Sequence, residues 1–256
     1  MISITYFSTC QWGVINVFSP ALLSFLPAAE ILKESMGSLP TTNCVLLSGG
    51  LDSAALVSRS LAEGRSVFPL YVRCGFLWES AELYWLRRLL HFYGNRRVLP
   101  LKIVEMPMRP LYGSHWSLSG KRVPSSKSPD KAVFLPGRNA VLLTAAAIVA
   151  VRHKASRISL GVLRGNPFGD ATPQFFRKLT SALSLALKTR LTIAAPLRAM
   201  SKQELIAASP GVPFALTFSC IQPKLRYHHC GRCNKCAERK RAFRQAGVYD
   251  PTRYIH

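Results

Sequence analysis

A short stretch near residue 50 constrains the fold of this chain more than any other part of the sequence. The apolar run at residues 44–47 is typical of a buried strand, and Ser48-Gly49-Gly50-Leu51-Asp52-Ser53 follows it. Residues 54–57 then continue as an apolar helix. The two glycines let backbone N–H groups approach an anion closely, and the helix start adds unpaired donors and a positive dipole end. The stretch therefore predicts a strand–turn–helix unit whose turn binds phosphate.

The side chains of this turn add further donors and a metal ligand. Ser48 and Ser53 carry hydroxyl groups, and Asp52 can hold a magnesium ion against phosphate oxygens. The Gly-Lys-Ser/Thr ending of a Walker loop is missing, which excludes that class of loop. An ordinary strand–turn–helix corner is the simpler alternative, but the six-residue motif follows a good strand and favours a nucleotide site. The motif resembles the pyrophosphate loop of the N-type ATP pyrophosphatases, which leave AMP on a substrate oxygen.

Composition and charge narrow the class of protein. The chain has 256 residues and is 48% hydrophobic, enough for one sizeable core or one domain with an appendage. Its formal net charge of +22 predicts attraction to phosphate-rich partners such as ATP, tRNA or other nucleic acid. The alternative is a basic surface that serves solubility, because the charges are spread along the chain. No window forms a continuous apolar span of membrane length, so no membrane partner is expected.

The amino-terminal residues differ in character from the rest of the chain. Residues 1–35 carry no charge before Glu30 and show neither the basic start nor the cleavage site of a secretory signal. Our hypothesis is that the native protein starts at Met36 and that residues 1–41 are an extension, non-native or disordered. Seven cysteines without a convincing secretory signal indicate a reducing compartment, and we expect a cytoplasmic protein.

Strand and helix patterns alternate along the rest of the chain. Further strands are predicted at residues 66–72, 101–105, 157–162 and 191–194. Helices are predicted at residues 78–93, 136–153 and 172–187, with a short helix after the capping box Ser201-Lys202-Gln203-Glu204. This alternation predicts an α/β fold, a Rossmann-like parallel sheet with helices on both faces and ligands at the carboxyl ends of its strands. Residues 107–135 are predicted to be a long loop that serves as a lid.

Cysteines near the carboxyl terminus cluster at metal-binding spacing: Cys220, Cys230, Cys233 and Cys236, the last three as C-x-x-C-x-x-C. Four thiolates can complete a closed tetrahedral zinc site, which is structural because it leaves no position for substrate water. An iron–sulfur cluster and paired disulfides are the alternatives. His228 and His229 are substitute ligands that we expect to flank the site. The remaining cysteines are predicted to fill apolar space: Cys10, Cys44 and Cys74.

Taken together, these motifs resemble those of the 7-cyano-7-deazaguanine synthases, the QueC/ExsB family of ATP pyrophosphatases. The resemblance runs from about residue 45 to residue 244 and rests on the order of its motifs: Ser48-Gly49-Gly50-Leu51-Asp52-Ser53, Leu135-Pro136-Gly137-Arg138-Asn139, Gly161-Val162, Pro196-Leu197, Ser201-Lys202, Ser219-Cys220 and the cysteine run. It implies a fold of the adenine nucleotide alpha hydrolase type, with an ATP-pyrophosphatase domain at residues 42–210 and a zinc-binding region at residues 211–256.

The resemblance also implies an activity. A ligase of this family uses ATP with Mg²⁺ to convert 7-carboxy-7-deazaguanine and ammonia to 7-cyano-7-deazaguanine (preQ0), through an adenylated carboxylate and an amide. The product serves queuosine or another deazapurine pathway. Family members carry one structural zinc ion. The expected partners are these small molecules, with tRNA as a candidate because of the basic charge and a second copy of the chain as a candidate homodimer partner.

Site residues follow from the matched motifs. The implied ATP-binding set is Leu47, Ser48, Gly49, Gly50, Leu51, Asp52, Ser53, Ala54, Ala55, Leu56 and Val57. Catalytic roles fall to Ser48, Asp52 and Arg138, and substrate binding to Gly75, Arg138, Asn139 and Asp170. Arg138 could neutralise phosphate or carboxylate charge, or form a salt bridge at the helix start. Asp170 could bind the exocyclic amine and ring N–H of a purine-like base, or be a turn residue before the Thr172 cap.

Two loops depart from the family pattern and keep other functions open. The family's Asp-Tyr-Gly-Gln after the second strand is replaced by residues 72–79, where only Gly75 matches, and its Ser-Gly-Tyr-Pro run is replaced by residues 164–171. The sequence therefore supports ATP activation better than the deazaguanine substrate. A second interpretation is a pyrophosphatase that adenylates another acid, amide or base, such as a tRNA base. A third is a non-enzymatic, zinc-containing nucleic-acid binder.

Overall fold

The computed structural model of the chain describes residues 41–94 and 97–255. The hypotheses about the extension at residues 1–41 and a start at Met36 concern residues that, apart from Thr41, lie outside this part, as does Cys10. Within it, the strands are β1 (Thr42–Leu46), β2 (Ser66–Arg73), β3 (Lys102–Glu105), β4 (Arg157–Ser159) and β5 (Thr192–Ala194). All pair in parallel in the order β3-β2-β1-β4-β5. The predicted parallel sheet is confirmed, although β4 ends three residues earlier than predicted.

The strand order alone predicts a ligand crevice at the carboxyl ends of β1 and β4. From β1 the chain builds the sheet first toward β2 and β3 and later toward β4 and β5, so the order reverses between β1 and β4. In open α/β sheets, ligands bind outside the carboxyl ends of the strands at such a reversal point. The turn at residues 47–50 follows the carboxyl end of β1, and Gly161 follows the end of β4. Both segments therefore meet at the crevice.

The helices cover both faces of the sheet. They are α1 (Leu51–Ala62), α2 (Glu79–Phe92), α3 (Arg109–Tyr112), α4 (Trp116–Ser119), α5 (Arg138–Arg152), α6 (Pro173–Ala186), α7 (Lys202–Ala207) and α8 (Asn234–Ala246). Cys44 and Leu46 of β1 pack in the same core cluster as buried residues of α5 and α6. Val45 of the same strand packs in a second core cluster with residues of α1, α2, α7 and α8. Alternate residues of a strand point to opposite faces, so β1 is buried on both sides.

The alanine-rich helix α5 is buried against the sheet, as its composition predicts. Leu143, Ala146, Ala147 and Ala150 are fully shielded from solvent in one core cluster. Small side chains let the helix approach the strands closely. Across residues 41–94 and 97–255, no helix is both long enough and apolar enough to cross a membrane.

The segment predicted as a long loop, residues 107–135, requires a correction. It contains α3, α4 and the 3-10 turn Asp130–Val133, and Met108, Leu118 and Val133 are buried in the main core cluster. The indole rings of Trp78 and Trp116 stack with their centroids 5.7 Å apart. The apolar and aromatic residues of this segment recur at neither a helical nor a strand period. The hydrophobic pattern therefore does not indicate that the segment packs into the core. Its role as a lid stays a prediction.

Candidate active site

The turn after β1 has the geometry of an anion site. Gly49 has a φ of +75°, and a Cβ there would lie 3.3 Å from the backbone oxygen of Glu82. Both the backbone conformation and the available space therefore favour glycine. The Phe218 N–H donates to the Gly49 carbonyl over 2.8 Å, and the Ser53 hydroxyl donates to the Gly50 carbonyl over 3.0 Å. These carbonyls are engaged by protein donors, while the first-turn N–H groups of α1 lack helical partners and can face an anion.

Two cavities share this turn as a wall. The inner cavity, of about 130 Å³, is bounded by the carboxyl ends of β1, β2 and β4 together with α2 and the start of α5. The outer cavity, of about 250 Å³, is bounded by the turn, residues 133–135, residues 166–170 and the segment around Phe218. Ser48, Gly50, Asp52, Arg138 and Gly161 line both cavities. The site is therefore one cleft with a small deep part and a wider entrance.

The predicted ATP-binding residues divide into those that line the cleft and those that support it. Six line a cavity: Leu47, Ser48, Gly50, Leu51, Asp52 and Ser53. Gly49 forms the turn without lining either cavity. The remaining four lie along α1 and are buried in the second core cluster: Ala54, Ala55, Leu56 and Val57. Their side chains hold the helix against the sheet, so only the first turn of α1 faces the cleft.

Asp52 carries an unpartnered polar atom at the centre of the cleft. Its Oδ1 is buried and has no hydrogen-bond partner among the described residues. Burial raises the pKa of this carboxyl, and the positive charge of Lys202 partly offsets the rise. A carboxylate oxygen left free beside a phosphate turn is a suitable ligand for Mg²⁺. The residues present therefore fit the predicted magnesium ion.

A lysine pair stands beside Asp52, and sequence reasoning did not assign it to the site. Lys202 and Lys235 line the outer cavity, and their ammonium groups donate to the two carboxylate oxygens of Glu238 over 2.6 and 2.7 Å. Burial alone would raise the pKa of Glu238, but the two lysines lower it to about 2. The bridge holds two positive charges on the cavity wall. Lys235 lies between two cysteines of the C-x-x-C-x-x-C run, a position that could have indicated it.

Three of the predicted substrate-binding residues come together in the cleft at the start of α5: Arg138, Asn139 and Asp170. Asn139 donates its backbone N–H to Asp170 Oδ2 over 3.0 Å and its side-chain amide to the Asp170 carbonyl over 3.1 Å. Asp170 thereby fixes the start of α5 while lining the outer cavity. Arg138 lines both cavities, and its buried Nε has no hydrogen-bond partner among the described residues. The group joins a free cation to a fixed carboxylate, which suits a ligand with an acid and a hydrogen-bonding edge.

The structure places Gly75 just behind the cavity wall. Its neighbours Cys74 and Phe76 line the inner cavity, but Gly75 lines neither cavity. Gly75 has a φ of +85°, and its N–H donates to Glu79 Oε1 over 3.0 Å. The Cys74 N–H donates to the same oxygen. In this arrangement Gly75 shapes the turn after β2.

A tyrosine–glutamate pair, with the tyrosine buried and the glutamate half-buried, lines the inner cavity. The Tyr71 hydroxyl at the end of β2 donates to Glu82 Oε2 over 2.6 Å. Burial raises the pKa of Glu82 to about 7, and the Tyr71 hydrogen bond and the charge of Arg138 only partly oppose the rise. The hydrophobic periodicity of α2 is set by its leucines and does not indicate that Glu82 faces the cleft. Sequence reasoning therefore missed a titratable group inside the cleft.

The four predicted cysteines converge on one point beside the cleft. Their Sγ atoms all lie within 4.8 Å of one another, and every one of the four residues is buried. Backbone N–H groups of Gln222 and Cys230 donate to the Cys220 sulfur over 3.3 and 3.4 Å. Donors of this kind stabilise thiolates, so the cluster could hold a metal ion. Cys44 and Cys74, predicted to fill apolar space, are buried in the main core cluster.

The histidine beside the cluster, His229, bonds a backbone N–H group and does not join the four cysteines. His229 Nε2 accepts a hydrogen bond from the Ser219 N–H over 3.1 Å. Burial lowers the pKa of His229 to about 3, which keeps the ring neutral. His228 and His229 are not among the residues whose ligand atoms converge with the four thiols. Both histidines therefore flank the site.

Comparison with known proteins places the chain in a family. The family model described as "Queuosine biosynthesis protein QueC" matches residues 42–247. A 7-cyano-7-deazaguanine synthase of Myxococcus xanthus is 32% identical over 82% of this chain and 96% of that protein. A 7-cyano-7-deazaguanine synthase of Legionella pneumophila is 35% identical over 82% of this chain and 95% of that protein.

One solved structure resembles this chain at a distance. A predicted subunit of a tRNA methyltransferase from Methanocaldococcus jannaschii is 14% identical and aligns with a TM-score of 0.46, over 66% of this chain and 74% of that chain. This likeness is too weak to bear on function. The family match spans the turn, the Arg138 region and the cysteine cluster alike, and the chain therefore belongs to the QueC family.

Proposed function

We propose that this chain is a 7-cyano-7-deazaguanine synthase, which joins 7-carboxy-7-deazaguanine and ammonia at the expense of ATP. The observation that carries the proposal is that the phosphate turn, the Arg138–Asn139–Asp170 group and the cysteine cluster all lie within the stretch that matches the family, residues 42–247. The first two share one cleft. A carboxylate is a poor acyl donor because its oxygen leaves badly, and transfer of AMP to that oxygen supplies a good leaving group.

The proposed reaction uses the same activation twice. The substrate carboxylate attacks the α-phosphorus of ATP and pyrophosphate leaves; ammonia then displaces AMP and forms the amide. The amide oxygen next attacks a second ATP, pyrophosphate leaves again, and loss of AMP with the nitrogen's protons gives the nitrile. Each nitrile therefore accounts for two ATP, two AMP and two pyrophosphate. Catalysis requires positioning and charge neutralisation, with no obligatory protein nucleophile.

The cleft offers a group for each part of the substrates. The N–H groups of the turn, with Lys202 and Lys235 beside them, suit the departing pyrophosphate. Arg138 suits the carboxylate or the α-phosphate, because its Nε is buried and free of protein partners among the described residues. Magnesium, when bound, would be held by Asp52 and would neutralise charge on the phosphates.

The base of the substrate has its own candidate subsite in the outer cavity. Asp170 can accept hydrogen bonds from the exocyclic amine and ring N–H of a deazaguanine. Phe134 and Phe168 stack with their ring centroids 4.9 Å apart and both line the same cavity, which gives a planar base an apolar wall. The replaced run at residues 164–171 therefore still supplies an aromatic ring and a carboxylate, two groups that suit a purine-like base.

The metal of the cysteine cluster is proposed to be one structural zinc ion. A tetrahedron with Zn–S bonds of about 2.3 Å has sulfurs about 3.8 Å apart. The Cys220–Cys233 and Cys230–Cys236 sulfur pairs are separated by 3.9 and 4.0 Å. An iron–sulfur cube places its iron atoms between the thiolates and holds the sulfurs farther apart. The described cysteines are free thiols, which suits the reducing cytoplasm that we propose for the protein.

The proposal is tested by incubating the purified protein with ATP, Mg²⁺, ammonium and 7-carboxy-7-deazaguanine and following products by mass spectrometry. We expect 7-cyano-7-deazaguanine to form, with two AMP released for each nitrile. Omission of ammonium should stop the nitrile while allowing pyrophosphate–ATP exchange. Absence of any new product from the acid in the complete mixture would overturn the proposal.

The net charge of +22 supports a second candidate, adenylation of a tRNA base by the same turn. A parallel reaction with tRNA in place of the deazaguanine acid separates the two functions. AMP release that requires tRNA and ignores the small acid would assign the second function. AMP release that requires the acid and is unchanged by tRNA supports the first.

Gly161 provides a test of the cleft geometry. We expect Gly161→Ala to lower kcat/KM for ATP by about 10²-fold, because the new Cβ would displace the turn by a fraction of an ångström or more. That Cβ would lie 2.8 Å from the Asp52 Cβ and 3.3 Å from its carbonyl carbon. Gly211→Ala is the matched control, since nothing lies within 4 Å of a Cβ there. Steady-state AMP release measures both, and equal values for the two variants would contradict the close-approach argument.

A further inference from the structure

The proposed reaction leaves one task without a residue. Nitrogen enters as ammonium, which carries four protons, and ends in a nitrile, which carries none. Ammonium cannot attack an acyl adenylate until it loses a proton, and the amide nitrogen must lose both of its protons as the nitrile forms. The turn, Arg138 and the lysine pair bind anions, and Asp170 is engaged at the start of α5. A proton acceptor inside the cleft is therefore required.

Glu82 is placed for this task. It lies on α2 and lines both cavities, so it faces the deep part of the cleft and its entrance. Its Oε2 is occupied by the Tyr71 hydroxyl, 2.6 Å away. Its Oε1 has no hydrogen-bond partner among the described residues and is accessible to solvent. One carboxylate oxygen is thus anchored while the other is free on the cavity wall.

The charged and titratable groups around Glu82 come from four elements: β2, α2, α5 and α1. Tyr71 projects from β2, Glu79 from the same helix, and Arg138 from α5, while Asp52 stands across the same cavity. Glu79 is held by the backbone N–H groups of Cys74 and Gly75 and does not bond Glu82. Burial raises the pKa of Tyr71 far above its usual range, so Tyr71 stays protonated and acts only as a donor. Glu82 is left as the acid whose protonation changes near neutral pH.

We infer that Glu82 is the general base that removes protons from the reacting nitrogen, an assignment that rests on the proposed function. Glu82 first takes a proton from ammonium, and the resulting ammonia attacks the acyl carbon as the C–O bond to AMP breaks. Once it has released that proton to water, Glu82 takes a second proton from the attached nitrogen, which leaves the neutral amide. After the amide oxygen has displaced pyrophosphate from the second ATP, Glu82 takes an N–H proton from the nitrogen of the resulting O-adenylated imidate. The C≡N bond forms as the C–O bond to AMP breaks and the regenerated Glu82 carboxylate takes the last N–H proton. Between steps the protonated carboxyl returns its proton to water at the cleft entrance.

The position of Arg138 supports this division of work. Arg138 and Glu82 share both cavities but form no hydrogen bond or ion pair with each other among the described residues. A substrate bound between the two side chains would have its oxygens toward the guanidinium and the incoming nitrogen toward the carboxylate. An ion pair between the two side chains would have neutralised both.

The test uses Glu82→Gln, which keeps the shape and the Tyr71 hydrogen bond but cannot accept a proton. Adenylation of the acid needs no base, so we expect pyrophosphate–ATP exchange with the acid to stay within about twofold of the wild-type rate. Conversion of the synthetic amide to the nitrile should fall by about 10²-fold or more. The wild-type rate of that step should rise with pH through about 7, as the Glu82 carboxylate forms, and the variant should lack this limb.

Glu63→Gln is the control. Glu63 is an exposed acid at the carboxyl end of α1, the end away from the phosphate turn, and its replacement should leave both half-reactions unchanged. Nitrile formation from the amide at the wild-type rate by Glu82→Gln would overturn the inference while leaving the proposed function intact. Loss of pyrophosphate exchange and nitrile formation in equal measure would assign Glu82 a structural role and also overturn it. A wild-type protein that forms no nitrile would remove the proposed function and the inference together.

Discussion

Replacement of Asp52 by asparagine should lower kcat/KM for ATP by about 10²–10³-fold while leaving the protein folded. The magnitude is that of removing one electrostatic group that acts on a developing charge inside a cleft. Asp52 is the carboxylate of the phosphate turn, and its Oδ1 has no protein partner among the described residues. Asparagine keeps the size of the side chain but removes the charge that would hold magnesium against the phosphates. AMP release at saturating acid, measured across a range of ATP and Mg²⁺ concentrations, gives the effect.

The same substitution should not destabilise the fold, and the direction is set by the pKa. Burial raises the pKa of Asp52 in the folded state above its unfolded value, so ionisation at neutral pH favours unfolding. This unfavourable contribution is present above the folded pKa and disappears as the pH falls through it. Asp52→Asn should therefore have a Tm at least equal to that of the wild type at pH 7, with the difference shrinking on acidification.

The pairing of lost activity with retained stability is the distinctive result. A merely structural Asp52 would lose both together. Glu63→Gln removes an exposed carboxylate from the other end of α1 and should change neither quantity beyond a surface ion pair's contribution of about 0.2–1 kcal/mol. A wild-type kcat/KM in Asp52→Asn would remove this residue from the catalytic set.

Local patterns account for the part of this structure that could be predicted. The turn at residues 48–53 requires glycine at a left-handed φ and a helix start, and both requirements are written within six residues. The central strands β1 and β2 are buried on both faces and appear as short apolar runs. The Ser201–Glu204 capping box forms as its spacing predicts. The cysteine convergence arises because C-x-x-C-x-x-C brings three thiols close and a single distant cysteine completes the set.

Long-range placement accounts for most of what could not be predicted. Glu82 enters the cleft because α2 packs over the end of β2, and Lys235 enters it because α8 packs against α7. Neither contact has a local signature. The helix α8 itself was not predicted, because its run of basic residues lacks a clear apolar stripe. It is held instead by Arg239, whose guanidinium donates to Thr217 Oγ1 over 2.9 Å and to the Phe214 carbonyl over 3.0 Å.

Loss of one cysteine of the cluster should have the largest effect on stability. We expect Cys233→Ser to reduce bound zinc from about one ion per chain to near zero and to lower the free energy of unfolding by on the order of 5 kcal/mol, a fraction of the roughly 10–16 kcal/mol of structural zinc sites in peptides. Cys233 precedes α8, and residues 124–126 attach to this region through the Asn234 N–H to Pro124 carbonyl bond of 3.0 Å and the Ser126 N–H to Arg232 carbonyl bond of 2.8 Å.

The effect should reach the active site by a defined route. Cys220 lies two residues beyond Phe218, whose N–H donates to the Gly49 carbonyl of the phosphate turn. A cluster that has lost its metal no longer fixes the segment at residues 218–220, so ATP turnover should fall together with stability. Cys44→Ala is the matched control: it removes a buried thiol from the core and should cost stability, yet retain zinc, as atomic absorption and chemical denaturation can establish. Full zinc content in Cys233→Ser would contradict the four-thiolate site, because a closed tetrahedral ion cannot lose a ligand without a large loss of affinity.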